Sequence, residues 1–396
     1  MTPFDPNDPD HVRDPDRYLE ASRAHCPIST PRDRLHVLVN DEDIRTVLAN
    51  TDSYSSKGNF RTGSDEASAP FTLITSADDP LHGELRKRMF KNFAPARLRK
   101  LRPRVDAIVE SALGELPNHG EVDLYRHYVR KIPISVVYTL IGIPEADWSQ
   151  AQEYGDAIVA TVPAPVRELP EFTGLMALLR GVVTARRENP ETRHEDVLDN
   201  LCFAESGERE MPDLEIVSHI YQLILAGTDT TRSLISNCVW RLLEEPDRWD
   251  AVAANRELLP NALEESLRRD SPAQFVVRTA RTAGSLHGCP VEPGDKLYLS
   301  LQSANHDERR WGEDGDVFDF ARQDVTGHLA FGRGIHACIG APLARIEGLA
   351  AVGALLDRFP HMRLSRRAVW SNVDGAITRR PAEVLVDLVP ATAISG

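Results

Sequence analysis

The feature that most constrains the fold is one long, largely apolar helical segment, Asp213–Glu245. Pro212 precedes it and Pro246 follows it, and proline favours the start of a helix and stops its continuation. At 1.5 Å per residue such a helix would be roughly 50 Å long. Over Ile216–Ala226 apolar residues occur almost all round the helix, so this part is predicted to be buried on every side. We therefore expect a central buried helix.

The remaining patterns are mostly helical, with a short stretch of strands. Residues 275–300 alternate between apolar and polar positions with glycines at turns, which is typical of short strands. A last long helix is expected over about 341–359. No internal repeat or low-complexity linker divides the chain, so a single domain over residues 1–396 is predicted, mainly α with small β-sheets. Proline and aspartate are frequent in residues 1–16, which predicts an extended N-terminal lead-in.

Charge and cysteine content exclude several functional classes. The formal net charge is −14, so binding to nucleic acid or to an anionic membrane through bulk charge is not expected. The N-terminus has no basic and apolar leader, and no segment approaches the ~20 apolar residues that span a bilayer. The 5 cysteines are scattered and odd in number. They favour free thiols in the cytoplasm over a disulfide framework.

One of these cysteines, Cys338, lies in an unusual loop with the sequence F-G-R-G-I-H-A-C-I-G. The loop contains three glycines: Gly332, Gly334 and Gly340. Glycine allows positive φ, so backbone N–H groups can point at the sulfur, and Pro342 then opens a helix whose N-terminus favours negative charge. Both effects are expected to lower the pKa of the thiol and to favour thiolate, a soft metal ligand. A zinc site with His328 and His336 fits less well, because no second group of ligands has zinc-like spacing.

The long helix carries a second polar motif at its centre, A-G-T-D-T-T over residues 226–231. Gly227 weakens the helix interior by roughly 1 kcal/mol relative to alanine, and a hydroxyl inserted into the backbone ladder can open a groove there. Asp229 and Thr230 place an acid and a hydroxyl side by side. Because reduction of dioxygen consumes protons, such a pair is suited to relay them from water. The alternative is a polar patch whose hydroxyls bond back to the preceding turn.

Together these two motifs resemble those of the cytochrome P450 family. The cysteine loop matches the family pattern F-G-x-G-x-H-x-C-x-G at every fixed position, and residues 226–230 resemble its oxygen-binding motif A/G-G-x-D/E-T. The resemblance implies a cytochrome P450 fold enclosing one haem b, with Cys338 as the proximal ligand of the iron. It further implies that Asp229 relays protons and that Thr230 holds oxygen. Four residues are expected to border the haem: Ala226, Gly227, Phe331 and Gly340.

A third stretch, E-E-S-L-R-R-D-S-P, resembles the E-x-x-R helix of the same family. Glu265 and Arg268 are spaced i, i+3 and share one helix face. In the family this pair is buried on the cysteine side of the haem and stabilises the fold. A buried pair needs further hydrogen bonds, and the sequence leaves three candidates for a third partner: Arg309, Arg310 and Arg322. His306 stands where many relatives carry arginine, which obscures the choice.

Haem carries two propionates that need cationic partners, and the resemblance supplies four such residues. His82 and Arg86 lie i, i+4 on one predicted helix, in a segment, D-D-P-L-H-G-E-L-R, that resembles the family segment gripping a propionate. Arg278 in F-V-V-R-T-A and His336 in the cysteine loop match the other propionate partners. Arginine suits carboxylates because it forms paired hydrogen bonds with them.

The electron donor is predicted to be a separate protein. The sequence has no reductase domain and no glycine-rich dinucleotide motif, so electrons from NAD(P)H are expected to arrive through a ferredoxin and a ferredoxin reductase. Residues 86–104 contain nine basic and no acidic residues. In the family this helix borders the cysteine side of the haem, and a basic patch there would steer an acidic ferredoxin towards it.

The expected reaction inserts one atom of O2 into a small or medium-sized organic molecule, most simply as a hydroxylation. Residues 57–76 and 160–175 match two regions that cap the haem pocket in relatives. Three further side chains are predicted to meet the substrate: Gln222, Phe275 and Val276. Three alternatives stay open: a non-catalytic haem sensor or carrier, a peroxide-driven haem enzyme, and a structural helical protein without haem. The presence of Asp229 and Thr230 argues against the second.

Overall fold

The computed structural model describes residues 4–59, 72–161, 169–191, 193–373 and 377–389, so the two predicted capping regions fall partly outside the described chain. Its α-helices are Pro9–Arg13 (α1), Pro15–His25 (α2), Asp41–Ala49 (α3), Leu81–Phe90 (α4), Pro95–Gly114 (α5), Lys131–Ile141 (α6), Trp148–Thr161 (α7), Pro170–Glu188 (α8), Val197–Cys202 (α9), Asp213–Glu244 (α10), Pro246–Ala254 (α11), Leu259–Arg269 (α12), Leu301–Ala304 (α13), Glu308–Trp311 (α14) and Ala341–Arg358 (α15). Its strands are Ile28–Arg32 (β1), Leu35–Leu38 (β2), Tyr54–Ser55 (β3), Gly120–Asp123 (β4), Phe275–Ala280 (β5), Gly284–Leu286 (β6), Cys289–Val291 (β7), Lys296–Ser300 (β8), Arg363–Leu364 (β9) and Leu385–Leu388 (β10). Within these ranges no helix combines the length and the apolar character that crossing a membrane requires.

The predicted central helix is present as α10, and other helices pack around it. It contacts α6, α8, α12 and α15, and its apolar first half is buried, as at Ile216 and Ile220. The helix ends at Glu244, one residue before the predicted end. Glu245 has extended backbone (φ −120°, ψ 112°), because the proline that follows it disfavours helical geometry. The prediction of a mainly α fold around one buried helix is confirmed.

The largest sheet has five strands in the order β1-β2-β8-β5-β3. The β2–β8 pair is parallel, and the other neighbours in this sheet are antiparallel. The predicted strands between residues 275 and 300 are β5 to β8. Because side chains alternate along a strand, Val276 and Arg278 share one face of β5 and Phe275 lies on the other. This alternation decides which β5 side chains can reach the site described below.

The prediction of an extended lead-in over residues 1–16 is wrong for its described part. Helix α1 begins at Pro9 and α2 at Pro15, each directly after an aspartate. Asp8 accepts a hydrogen bond from a backbone N–H of α1 and so caps that helix. Phe4 is buried and anchors the segment to the protein. Proline and aspartate serve here as residues that start helices.

The predicted E-x-x-R pair is completely buried on α12. Arg268 donates two hydrogen bonds to Glu265, each at 2.7 Å, and three more to backbone carbonyl oxygens. The third partner is Arg322, whose Nε lies 3.3 Å from Glu265 Oε1. The Asp319 N–H also donates to Glu265, at 2.9 Å. The pair therefore has the additional hydrogen bonds that its burial requires.

Candidate active site

The cysteine loop lies directly before α15 and is held by its own backbone. The Cys338 N–H donates to the Phe331 carbonyl oxygen at 2.8 Å. Gly332 and Gly334 have φ of +66° and +75°. A Cβ on Gly334 would lie 2.8 Å from the Leu48 carbonyl oxygen, so this position needs glycine for space as well as for conformation. The prediction of a glycine-built turn around the cysteine is confirmed.

The electrostatic surroundings of Cys338 differ from the expectation. Burial raises the pKa of its thiol, and hydrogen bonds from the Gly340 and Ala341 N–H groups lower it by less. The predicted lowering of the thiol pKa is therefore wrong, because desolvation outweighs the backbone donors. These two N–H groups nevertheless lie close to the sulfur, and a bound metal ion deprotonates a coordinating thiol outright. The loop thus offers one sulfur ligand together with donors for its negative charge.

The alternative of a zinc site gains no support from the geometry. Within the part of the chain that the structure describes, no group of three His, Cys, Asp or Glu side chains is arranged to hold a metal ion. His328 lies 3.2 Å from Glu264 on α12, which gives it a partner other than Cys338. A single sulfur ligand suits a metal whose other ligands come from a cofactor.

The two sequence motifs border accessible space inside the protein. The side chain of Cys338 is exposed, although the surrounding protein desolvates its thiol. Ala226 is also exposed, although most of α10 is buried. An accessible residue in the middle of a core helix indicates an interior cleft, and α10 packs against α15, which begins just after the cysteine loop. Thr230 lies one turn on from Ala226, on the same helix face.

The centre of α10 stays helical throughout residues 226–231. Thr230 Oγ1 donates to the Ala226 carbonyl oxygen at 2.6 Å, so its hydroxyl bonds back to the preceding turn and the predicted opening of the backbone ladder is wrong. Gly227 has a different role. A Cβ on it would lie 2.7 Å from Val137 Cγ2 on α6, so glycine allows α6 and α10 to approach closely.

Asp229 has a cationic partner that sequence reasoning missed. Arg380 Nε lies 3.8 Å from Asp229 Oδ1, and this oxygen accepts no hydrogen bond from any residue in the described ranges. The Arg380 guanidinium lies 3.9 Å from the centroid of the Tyr125 ring. The two partners are far apart in the sequence, so no local pattern reveals them. The one available signal is that a carboxylate inside a core helix needs a cation.

The four predicted propionate partners converge beside the cysteine loop: His82, Arg86, Arg278 and His336. The rings of His82 and His336 lie 4.0 Å apart. The Nε2 atoms of both rings are buried without a hydrogen-bond partner in the described chain. Arg278 is 4% exposed, and its Nη1 donates to the carbonyl oxygen of the neighbouring residue at 3.0 Å. These donors are aimed into the protein and not at solvent.

Burial disfavours the cationic forms of three of these side chains. Burial lowers the pKa of the Arg278 guanidinium to about 10. Burial also lowers the pKa of His336 to about 3, and repulsion from His82 and Arg278 adds to the effect. The pKa of His82 is lowered by burial as well, although Asp79 Oδ1 lies 3.6 Å from its Nδ1. Buried basic groups with lowered pKa values favour a bound anion, and the two carboxylates of haem b fit this requirement.

The three predicted substrate residues lie in different settings. Gln222 on α10 donates a hydrogen bond to Thr75 Oγ1, which ties the segment before α4 to the central helix. Val276 is half-buried on the face of β5 opposite to Phe275. Phe275 is buried and its ring stacks on Tyr298 at 4.3 Å. The prediction for Phe275 is therefore wrong, because strand alternation places it in the apolar core.

The basic run at residues 86–104 is largely neutralised by acids from other parts of the chain. Its ion pairs in the described chain include Arg88–Glu208, Lys91–Glu205, Lys91–Glu208, Arg97–Glu195, Lys100–Glu195, Arg102–Asp106 and Arg104–Glu145. Arg88 is buried and donates to three backbone carbonyl oxygens. Lys87 and Arg99 are exposed and pair with no acid among the residues described, and Phe90 on α4 is 48% exposed. The patch is thus smaller than the sequence indicates.

Comparison with known proteins agrees with this geometry. A family model of cytochrome P450 matches residues 147–386. Cytochrome P450 107B1 of Saccharopolyspora erythraea is 35% identical over 74% of this chain and 71% of that protein. Vitamin D(3) 25-hydroxylase of Pseudonocardia autotrophica is 33% identical over 76% and 74% of the two chains. The solved structure of CYP109Q5 from Chondromyces apiculatus has a TM-score of 0.87 at 28% identity and covers 99% of this chain and 100% of that one. This chain therefore belongs to the cytochrome P450 family and has its fold.

Proposed function

We propose that this chain hydroxylates a small or medium-sized organic molecule with one atom of O2, using electrons that a separate ferredoxin and ferredoxin reductase deliver from NAD(P)H. Relatives are named as hydroxylases and monooxygenases, and the family uses haem b. The observation that carries the proposal is the group of buried basic side chains beside Cys338. Such a group is suited to a dicarboxylate cofactor with a metal that the sulfur can bind.

The residues present fit haem b, because they would supply cations for its propionates and a sulfur for its iron. His82, Arg86, Arg278 and His336 would bind the propionates. Cys338 would bind the iron as thiolate, and the N–H groups of the two residues at the start of α15 would stabilise its charge. Thiolate-ligated haem supplies the chemistry of O–O cleavage and substrate oxidation when it is bound. The protein itself holds the sulfur, orients the substrate and delivers protons.

We assign proton delivery to Asp229 and Thr230 on α10. Thr230 Oγ1 donates to a helix carbonyl oxygen and keeps lone pairs that can accept a hydrogen bond from the cleft side. In a relay it would release its own proton as it receives one. Arg380 Nε lies 3.8 Å from Asp229 Oδ1, and this oxygen accepts no hydrogen bond within the described part of the chain, so it can accept one from water. A carboxylate that alternates between accepting a proton from water and passing it to a neighbouring hydroxyl acts as a general acid and base.

The substrate is proposed to be largely apolar. Val276 presents an aliphatic side chain on the face of β5 that also carries Arg278, and Gln222 supplies one polar group on α10. One relative is named for vitamin D(3), so the proposed range includes apolar molecules of that size. All five cysteines are free thiols, which fits a reducing cytoplasm where NAD(P)H is available.

The proposed function is tested by spectroscopy followed by turnover. The reduced, carbon-monoxide-treated protein is expected to show the long-wavelength absorption band of thiolate-ligated haem. A ligand from an apolar library that displaces water from ferric iron, seen as a blue shift of the Soret band, is expected to be hydroxylated with oxygen from labelled O2 when reductase and ferredoxin are present.

Each other outcome of this test rejects a specific part of the proposal. A missing long-wavelength band would rule out the thiolate ligand. Ligand binding without faster NAD(P)H oxidation would indicate a sensor or carrier. Product formation with peroxide, but none with ferredoxin, would indicate a peroxide-driven enzyme.

The electron donor is proposed to dock where α4 and α5 meet, at Lys87, Phe90 and Arg99. This region is near the sulfur, because a Cβ on Gly340 would lie 3.8 Å from Cys338 Sγ and 3.9 Å from the ring of Phe93, three residues after Phe90. Exposed aromatic residues often anchor protein interfaces. Lys87 and Arg99, which pair with no acid in the described chain, suit an acidic partner that covers this anchor.

The double substitution Lys87→Glu with Arg99→Glu is expected to slow reduction by ferredoxin at low salt about 10-fold, because steering between opposite charges is lost. The difference should shrink at high salt, where the charges are screened. The measurement is stopped-flow reduction of the ferric protein. Arg366→Glu, an exposed site outside this region, is the matched control. A double variant that is reduced at the wild-type rate at low salt would place the docking site elsewhere.

A further inference from the structure

A second polar group lies behind the cysteine loop, outside the motifs discussed so far. Glu264 stands beside the core pair on α12 and is buried. Arg345 of α15 donates to its two oxygens at 2.6 and 2.8 Å, and His328 Nε2 lies 3.2 Å from Oε2. Burial alone would raise the pKa of Glu264, but these donors lower it to about 2. Glu264 is therefore a charged acceptor that joins α12, α15 and the segment before the loop.

The hydrogen bonds of His328 fix its tautomer. Its Nδ1 accepts a hydrogen bond from the Ala330 N–H at 3.1 Å. A ring nitrogen that accepts a hydrogen bond carries no proton, so Nε2 carries the proton and donates a hydrogen bond to Glu264. The ring is held by two directed hydrogen bonds. It thereby links α12 to the residues that begin the cysteine loop.

The two donors to Glu264 also contact Phe331, the first residue of the loop. The guanidinium carbon of Arg345 lies 4.6 Å from the centroid of the Phe331 ring, within the range of a cation–π interaction. The ring of His328 lies 5.9 Å from the same centroid. The carbonyl oxygen of Phe331 accepts the hydrogen bond from the Cys338 N–H. A continuous series of contacts thus runs from Glu264 through its donors and Phe331 to the cysteine.

We propose that Glu264 is a positioning residue: through its two donors it fixes Phe331, and so holds the sulfur of Cys338 where the iron would bind. This inference rests on the proposed function, because it takes Cys338 as the residue that would bind the iron. The neighbouring core pair on α12 has different contacts, because Arg268 donates to backbone carbonyl oxygens of residues that precede the cysteine loop. Loss of Glu264 should therefore loosen the sulfur before it unfolds the chain.

The test uses the haem-loaded, reduced and carbon-monoxide-treated protein in mild denaturant. Glu264→Gln keeps the size of the side chain but removes the charge that Arg345 needs as a partner. In this variant the long-wavelength band should decay into the band of haem without thiolate about 10-fold faster than in the wild type. Loss of a residue that supports a metal ligand lowers metal affinity by a factor of this size. The helical far-UV signal should persist on the same time scale. Asp357→Asn on α15, the helix that carries Arg345, removes an exposed pair with Arg256 and is the matched control.

Two further variants separate positioning from general stability. Glu264→Gln combined with Arg345→Gln is expected to be no worse than the single substitution, because residues acting through one network are not additive. His328→Phe retains a ring against Phe331 but loses both hydrogen bonds, so it should also speed the decay. It provides the test if the Glu264 variant does not take up haem.

Two results would overturn this inference and leave the proposed function intact. One is a Glu264 variant whose band decays at the wild-type rate. The other is a variant whose band and far-UV signal are lost faster by the same factor, which is the behaviour of a purely structural residue. A wild-type protein without the long-wavelength band would instead reject the proposed function itself.

Discussion

Replacing Cys338 with serine is expected to abolish the long-wavelength band of the reduced, carbon-monoxide-treated protein. Hydroxylation should fall at least about 100-fold, because loss of a residue that only supports a metal ligand already lowers activity by up to that factor. Serine has nearly the same size as cysteine, so the loop and its hydrogen bond from residue 338 to the Phe331 carbonyl oxygen can still form. Its hydroxyl is not the soft anionic ligand that favours O–O cleavage. The expected loss is therefore chemical and not a failure to fold.

The chain offers a matched control for this substitution. Cys289 is a half-buried free thiol on β7, away from the cysteine loop. Cys289→Ser should keep both the absorption band and the activity. Haem content, measured separately, distinguishes loss of the ligand from loss of the cofactor. A Cys338→Ser protein that keeps the band would show that another group binds the iron, and the proposed site would have to be abandoned.

Features that depend on residues close together in the sequence could be predicted well. The central helix begins where its proline indicates and ends within one residue of the expected position. Glu265 and Arg268 are one helical turn apart, so their pairing follows from helix geometry alone. The positive φ at Gly332 follows in the same way from the residue type.

Features that depend on distant parts of the chain could not be predicted. Arg322 was one of three candidates for its role, and only the packing of its loop places it at Glu265. Most of the acids that neutralise the basic run come from other helices and loops, as Glu195 does for Arg97. The raised pKa of the Cys338 thiol reflects burial by the whole fold, which a loop sequence does not contain. The core position of Phe275 could not be predicted without knowing which face of β5 packs against the rest of the protein.

Asp229→Asn is expected to lower the rate of hydroxylation about 100-fold, the lower range for loss of a general acid or base. Asparagine keeps the size of aspartate and can still form hydrogen bonds, but it cannot exchange a proton with water at neutral pH. Because NAD(P)H consumption depends on the same protons, it should slow together with product formation. Thr230→Ala is expected to behave differently: electron use continues while product falls and hydrogen peroxide is released, because the hydroxyl beside the acid is lost.

The interpretation of Asp229→Asn depends on Arg380, which the substitution leaves as a cation without a carboxylate 3.8 Å away. A buried cation that has lost its partner lowers stability, so distortion of the site is a second explanation for slow turnover. The double variant Asp229→Asn with Arg380→Gln removes both charges. It should recover thermal stability and remain about 100-fold slow if proton transfer is the cause. Asp250→Asn, which removes the carboxylate of a more exposed pair with Arg363, should leave turnover unchanged. Recovery of activity in the double variant would mean that Asp229 serves only to neutralise Arg380, and the relay would then need another acid.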